Sequence, residues 1–135
     1  MITYTTALAR LTPDHLRGFF VGWPQPPTPE THLRILQGSR YVVLARDEDT
    51  RNVVGFITAI SDGISAAYIP YLEVLPAYQG QGIGSELVRW MLNQLTHLYM
   101  IDLICDDDLI PFYERFGLRP YRAMIKRNYD RQAGE

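Results

Sequence analysis

The stretch VLPAYQGQGIGSEL, residues 74–87, is where residue types and spacing first suggest chemistry. A strand-like run meets Pro76, Gln79 follows, and glycines then stand at 80, 82 and 84. A long amphipathic helix pattern begins there without Ser, Thr, Asp or Asn as a cap. Glycine removes the side chain where a ligand must approach the backbone closely. The first amides of a helix have no internal partner and carry the positive end of its dipole. An anion, above all a phosphate, meets both conditions. On the glycines alone, a shaped turn with water on its amides meets them equally well.

The phosphate reading can be narrowed by exclusion. No Gly-x-x-x-x-Gly-Lys-Ser/Thr occurs, so this is no P-loop. The spacing is Gly-x-Gly-x-Gly, and it follows several antiparallel-type strands, which suits a dinucleotide fold poorly. Cys105 reads as a small, buried apolar residue rather than a nucleophile. His15, His32 and His97 lack metal-ligand spacing, so no metal is expected.

The elements that must position this stretch follow from pattern. Residues 2–5 read as a short strand, and Thr12-Pro13-Asp14 opens a helix expected to end between Gly18 and Gly22. Trp23 to Pro29 holds four prolines and reads as a stiff loop. Thr28 then caps a helix with Leu33, Ile35 and Leu36 as its apolar positions. RYVVLARD, NVVGFITAIS and AAYIPYLEVL read as three strands joined by DEDTR and Asp62-Gly63. Pro70 within the third requires an edge or a bulge. Ile83, Leu87, Met91 and Leu95, at i+4 spacing, mark a helix over residues 81–97. LYMIDLIC reads as a buried strand parallel to the one before that helix. Asp107 or Asp108 caps a short helix that ends at Gly117. Residues 118–128 are expected to add one or two strands, and the final RQAGE to fray. The fold class is α+β (mixed α/β): an antiparallel meander followed by a strand–helix–strand crossover.

Totals set limits on partners. At 135 residues, one domain spanning 1–135 is expected. A formal charge of -2 gives no field for nucleic acid or for an anionic membrane. No apolar run is long enough to span a bilayer, no signal-peptide pattern opens the chain, and one cysteine suits a reducing, cytoplasmic setting. A homodimer is the base-rate expectation.

At this point the glycine stretch resembles the acetyl-coenzyme A signature of the GNAT superfamily of N-acetyltransferases. LEVLPAYQGQGIGSELV carries Gln79, Gly82 and Gly84 at the defining positions. PFYERFGL, residues 111–118, resembles the family's Tyr-x-x-x-Gly-Phe segment, with Tyr113 and Gly117 in place and Leu118 for the usual Phe. The element order agrees over nearly the whole chain. The chain departs from the pattern at Gln79, where many members have Arg, and at Asp106, where many have Asn.

The resemblance implies a GNAT-like fold, with splayed central parallel strands flanked by helices. It implies acetyl-CoA as co-substrate and a primary amine, small-molecule or peptide, as acceptor, joined by direct transfer in a ternary complex. The rival is an acyl-CoA-binding sensor without catalysis. Leu72 and Val74 would pair with pantetheine and polarise the thioester carbonyl. The diphosphate would rest on the amides from Gln79 through Gly80, Gln81, Gly82, Ile83 and Gly84 to Ser85. Tyr113 would be the general acid, unless it is only an aromatic core residue. Glu73 or Asp106 would take the proton from the amine. The plainer roles are a solvated strand charge for Glu73 and a helix cap for Asp106. Trp23, Tyr68 and Tyr71 are candidates for the wall of the amine site, or a staple over the core.

Overall fold

The computed structural model describes residues 1–135. Its strands are β1 (Ile2–Thr5), β2 (Tyr41–Asp47), β3 (Val53–Ser61), β4 (Ala66–Val74) and β5 (Met100–Leu103). They form one mixed sheet in the order β1-β2-β3-β4-β5. The first three pairings are antiparallel and β4–β5 is parallel. The meander and the crossover expected from sequence are both present. The helices are α1 (Pro29–Gly38), α2 (Ile83–Gln94) and α3 (Ile110–Glu114). No helix is long and apolar enough to cross a membrane.

Both faces of the sheet are covered, so the central strands are apolar at successive residues rather than at alternate ones. Val43, Ala45, Ile57 and Ile69 meet Ile83, Leu87, Val88 and Met91 of α2 on one face. Val42, Leu44, Val53 and Phe56 meet Leu16, Phe19, Phe20 and Leu36 on the other. Gly55 permits α2 to lie close, because a Cβ there would stand 3.0 Å from Leu87 Cδ1. Thr28 caps α1 as expected, its hydroxyl accepting from the Thr31 amide at 3.1 Å.

Four expectations need correction. The first helix is only a 3₁₀ turn, Pro13–Leu16. Beyond it Gly18, Phe20 and Gly22 all take positive φ, which no right-handed helix accommodates. The LYMIDLIC strand shrinks to the four residues of β5 and is half-exposed, because it is an edge strand with a single neighbour. Residues 118–128 form no strand. Residues 118–127 make no backbone–backbone hydrogen bond between α3 and the end of the chain. That end does not fray: the Gln25 amide donates to Gln132 Oε1 at 2.8 Å, and the Thr31 hydroxyl to Glu135 Oε1 at 3.2 Å.

Candidate active site

The glycine stretch becomes a loop between β4 and α2. A short turn, Pro76–Tyr78, leaves the strand, and the Gln79 side chain donates back to the Val74 carbonyl at 3.0 Å. Gly80 and Gly82 sit at φ +78° and +82°, in the left-handed region where other residues are strained. From Gly80 to Ser85 no amide donates to a protein acceptor. The first helical bond is Glu86 N–H to the Gly82 carbonyl, at 3.1 Å. A Cβ on Gly80 or Gly82 would meet nothing within 4 Å, so the loop lies open. The protein's own side chains do not fill the turn. Arg115 donates to the Ser85 hydroxyl at 2.7 Å and lies over the rings of Phe112 and Phe116, at 5.3 and 5.4 Å. It makes no ion pair with any carboxylate. An unpaired cation therefore stands at the positive end of α2.

Beside this loop the sheet opens. The β4–β5 pairing runs from Ala66↔Met100 to Ile69↔Leu103 and stops there, although β4 continues to Val74. Opposite β3 the register shifts between Thr58 and Ile60, so β4 carries one extra residue beside Pro70. Of the edge or bulge that Pro70 requires, the bulge is present. The Leu75 amide donates to the Val54 carbonyl at 2.8 Å. Backbone groups alternate between the two edges of a strand, so Leu72 and Val74 present their amides to the gap.

Glu73 lies on the opposite face. Its carboxylate accepts from the Phe20 amide at 2.8 Å and from the Val21 amide at 3.2 Å. Those successive amides form a small anion nest because Phe20 takes φ +61°, rare for a bulky residue. Glu73 lines a cavity of about 440 Å³ with Phe20, Trp23, Tyr71, Val74 and Gln79. Phe20 packs on Trp23 at 4.9 Å and on Tyr71 at 5.8 Å, and Trp23 on Tyr71 at 6.2 Å, making one aromatic wall. Tyr68 lies outside that lining. A second cavity of about 290 Å³, beside β1 and lined by Arg10, His15, Arg46 and Glu48, touches none of these groups.

Tyr113 is buried in the α2-side core, against Phe112 at 4.9 Å. Burial first, and then the nearby Cys105, push its pKa up to about 12. The Cys105 thiol is itself pushed up by burial and by the charges of Asp106, Asp107 and Asp108, which suits a packing residue and not a nucleophile. Asp106 is exposed, precedes the turn Asp107–Leu109, and lies outside the 440 Å³ cavity. Leu72, Glu73 and Val74 at the end of β4 thus line one cavity with Gln79 at the start of the glycine loop, and Asp106 is not in that lining. No group of three or more metal-ligating side chains could hold an ion. Sequence reasoning passed over the Phe20 and Val21 amides and Arg115. The alternation of glycine and aromatics in GFFVGW was the available signal for the first pair.

The acetyltransferase (GNAT) family model matches residues 8–118, from before the first turn to just past α3. The chain belongs to this family. A Deinococcus radiodurans R1 protein described as an acetyltransferase is 55% identical, with a TM-score of 0.94 over 98% of this chain and 92% of that one. A GNAT-family acetyltransferase from Streptococcus pneumoniae TIGR4 is 30% identical, with a TM-score of 0.77 over 95% of this chain and 98% of that one. An uncharacterized N-acetyltransferase of Pyropia yezoensis is 28% identical over 100 residues, which are 72% of this chain and 58% of that protein. The chain thus spans under two thirds of that curated relative. Family membership agrees with the open glycine loop and the splayed strands found independently above.

Proposed function

We propose that the protein moves an acetyl group from acetyl-CoA to a primary amine by direct transfer in a ternary complex. The observation that carries this reading is the run of unpartnered amides from Gly80 to Ser85, set beside a strand edge that has lost its neighbour. Those amides, with Arg115, would hold the diphosphate. The Leu72 and Val74 edge would pair with the two amides of pantetheine, as it would with a peptide. Gly80 and Gly82 leave the room such a ligand needs. Acetyl-CoA supplies an activated acetyl thioester whose thiolate leaves when an amine attacks.

The chain's own residues supply the rest. An alkyl ammonium has a pKa of about 10.4, so at neutral pH it must lose a proton before it attacks. Glu73, its carboxylate oriented by two amides, is the base that faces the cavity. Tyr113 stands ready to donate to the leaving sulfur. A phenol at about 12 gives its proton to a thiolate of roughly 8.5 only uphill, by about 5 kcal/mol. Tyr113 therefore acts as a hydrogen-bond donor to the developing thiolate and does not complete the transfer.

The wall of Phe20, Trp23 and Tyr71 beside a single carboxylate suits an amine with an apolar or aromatic body. The test combines calorimetry of CoA with thiol release from acetyl-CoA over 2-phenylethylamine, spermidine, glucosamine and alanine. Turnover with 2-phenylethylamine ahead of the others is the expected result. Turnover only on the polar amines would overturn the acceptor class and leave the activity standing. CoA binding without turnover on any amine would instead indicate a silent sensor, and no CoA binding would end the reading.

A further inference from the structure

β1 is the outer strand of the sheet. Ile2 and Tyr4 pack on the α2-side core, which leaves Thr3 and Thr5 on the α1-side face. Thr3 pairs with Arg46 of β2 and Thr5 with Leu44, so these four side chains stand together there. Beyond β1 the chain folds back over this face. The Ala7 amide donates to the Thr5 hydroxyl at 3.0 Å, and the Leu11 amide to the Leu8 carbonyl at 3.0 Å. The turn Pro13–Leu16 then brings His15. Sheet and turns enclose the cavity of about 290 Å³, which shares no lining residue with the cavity at the end of β4.

Charge in this cavity is unbalanced. Arg10 and Arg46 bring two guanidiniums to the lining, and neither makes an ion pair. Glu48 is the one carboxylate present, and one of its oxygens already accepts from the Thr3 hydroxyl. Arg46 is half-buried, and a guanidinium withdrawn from water without a partner is an expensive placement. His15 adds a directed donor. Its Nδ1 accepts from the Thr12 amide at 3.2 Å, so the neutral ring carries its proton on Nε2, which bonds no other residue. Ala7, Ala9, Leu11 and Leu44 supply apolar surface beside these donors.

We propose that this cavity binds a small organic carboxylate. The carboxylate accepts from the Arg10 and Arg46 guanidiniums and from His15 Nε2, and its apolar body rests on the alanines and leucines. A guanidinium fork matches the two oxygens of a carboxylate in one plane. Two guanidiniums against one carboxylate leave a single positive charge, which a monoanion cancels and a phosphate dianion oversteps. A volume of about 290 Å³ is at the small end for ligand pockets, which limits the body to about one ring. The site does not depend on the proposed activity, because it uses no residue at the end of β4 or in the glycine loop.

The test is a titration of the ¹⁵N-labelled protein with benzoate, followed by its backbone amide resonances. Acetate and benzamide are the controls. Benzoate is expected to shift Thr3, Thr5, Leu11, His15 and Arg46 saturably, with a Kd below about 1 mM. Acetate has the charge without the body, and benzamide the body without the charge; each should bind at least tenfold more weakly. Arg46→Met keeps an unbranched stem, removes the guanidinium and should weaken benzoate at least tenfold. Arg10→Gln changes an exposed residue and should weaken it too, so a folding defect in the first variant does not decide the outcome. Benzamide binding as tightly as benzoate, or unchanged affinity in both variants, overturns the proposal. So do shifts confined to residues 20–23 and 80–85, or no saturable shift up to about 10 mM benzoate.

Discussion

His32 offers a quantitative test of the wall behind the candidate acceptor site. Its ring is 1% exposed and packs on Phe56 at 4.4 Å, Phe20 at 4.9 Å and Phe19 at 5.3 Å. Neither ring nitrogen has a hydrogen-bond partner. Burial alone lowers its pKa from 6.5 to about 4. Below pH 6.5 the unfolded chain takes up a proton that the folded chain refuses. The stability present above that pH is therefore lost as pH falls from 6.5 toward 4. Between pH 7.5 and pH 5.0 the loss from this one group is about 2 kcal/mol, and it levels off near 3 kcal/mol below pH 4. Other groups also titrate in that range, so the measurement must be differential. His32→Leu keeps similar volume and the apolar contacts and removes the titration. Urea unfolding followed by tryptophan fluorescence, at pH 7.5 and 5.0, should show the variant losing about 2 kcal/mol less than wild type. Equal losses in the two proteins would refute the idea that this ring stays neutral in a dry aromatic cluster.

Gly82→Ala places a side chain at φ +82° and into the open loop, so it should cost about 1–2 kcal/mol of stability and weaken CoA binding at least tenfold by calorimetry. Gly84→Ala is the control. Its Cβ meets Phe112 and Val74 at an ordinary 3.8 Å within α2, and stability should rise by up to about 1 kcal/mol. Arg115→Gln should raise the Kd for CoA about tenfold at 50 mM salt and flatten its salt dependence; an unchanged dependence would remove Arg115 from the phosphate site. Tyr113→Phe should slow single-turnover transfer by about 10- to 100-fold, the worth of one hydrogen bond to a charged sulfur, while a rate equal to wild type would make Tyr113 a packing residue only. Glu73→Gln should lower kcat/KM by about 10²–10⁴ and make the rate climb with pH toward 10, as free amine replaces the missing base. A raised KM with an unaltered pH profile would show that Glu73 only anchors the Phe20 loop.

Much of this was legible in sequence where one periodicity dominates. The i+4 apolar stripe of α2 and the β-branched runs of β2 and β3 each have a single low-energy way to bury their apolar residues. The glycine loop was legible too, because Gly80 and Gly82 take a conformation that few other residues tolerate. The segment from Gly18 to Trp23 was not. Its Thr-Pro-Asp start reads as a helix, and nothing local announces that Phe20 turns left-handed to aim two amides at a carboxylate 53 positions away. Residues 118–128 misled for a related reason. Their β-type composition is real, but strand formation needs a neighbouring edge, and residues 118–127 make no backbone hydrogen bond to one.

The Pro70 bulge joins these parts. Before it, Ala67 and Ile69 face the α2 layer. After it, Leu72 and Val74 face that layer, while Tyr71 faces the α1 layer. Without the extra residue, strict alternation would carry Tyr71 and Glu73 on from Ile69 into the α2 core. A carboxylate forced there would be buried among Leu87 and Met91 without a partner, an expensive placement. The bulge instead turns Glu73 to the cavity where the Phe20 and Val21 amides receive it, and turns the Leu72 and Val74 amides to the side β5 has just left. One inserted residue in one strand therefore produces both halves of the candidate site: a carboxylate on the face with the cavity and open amides on the edge beside the glycine loop.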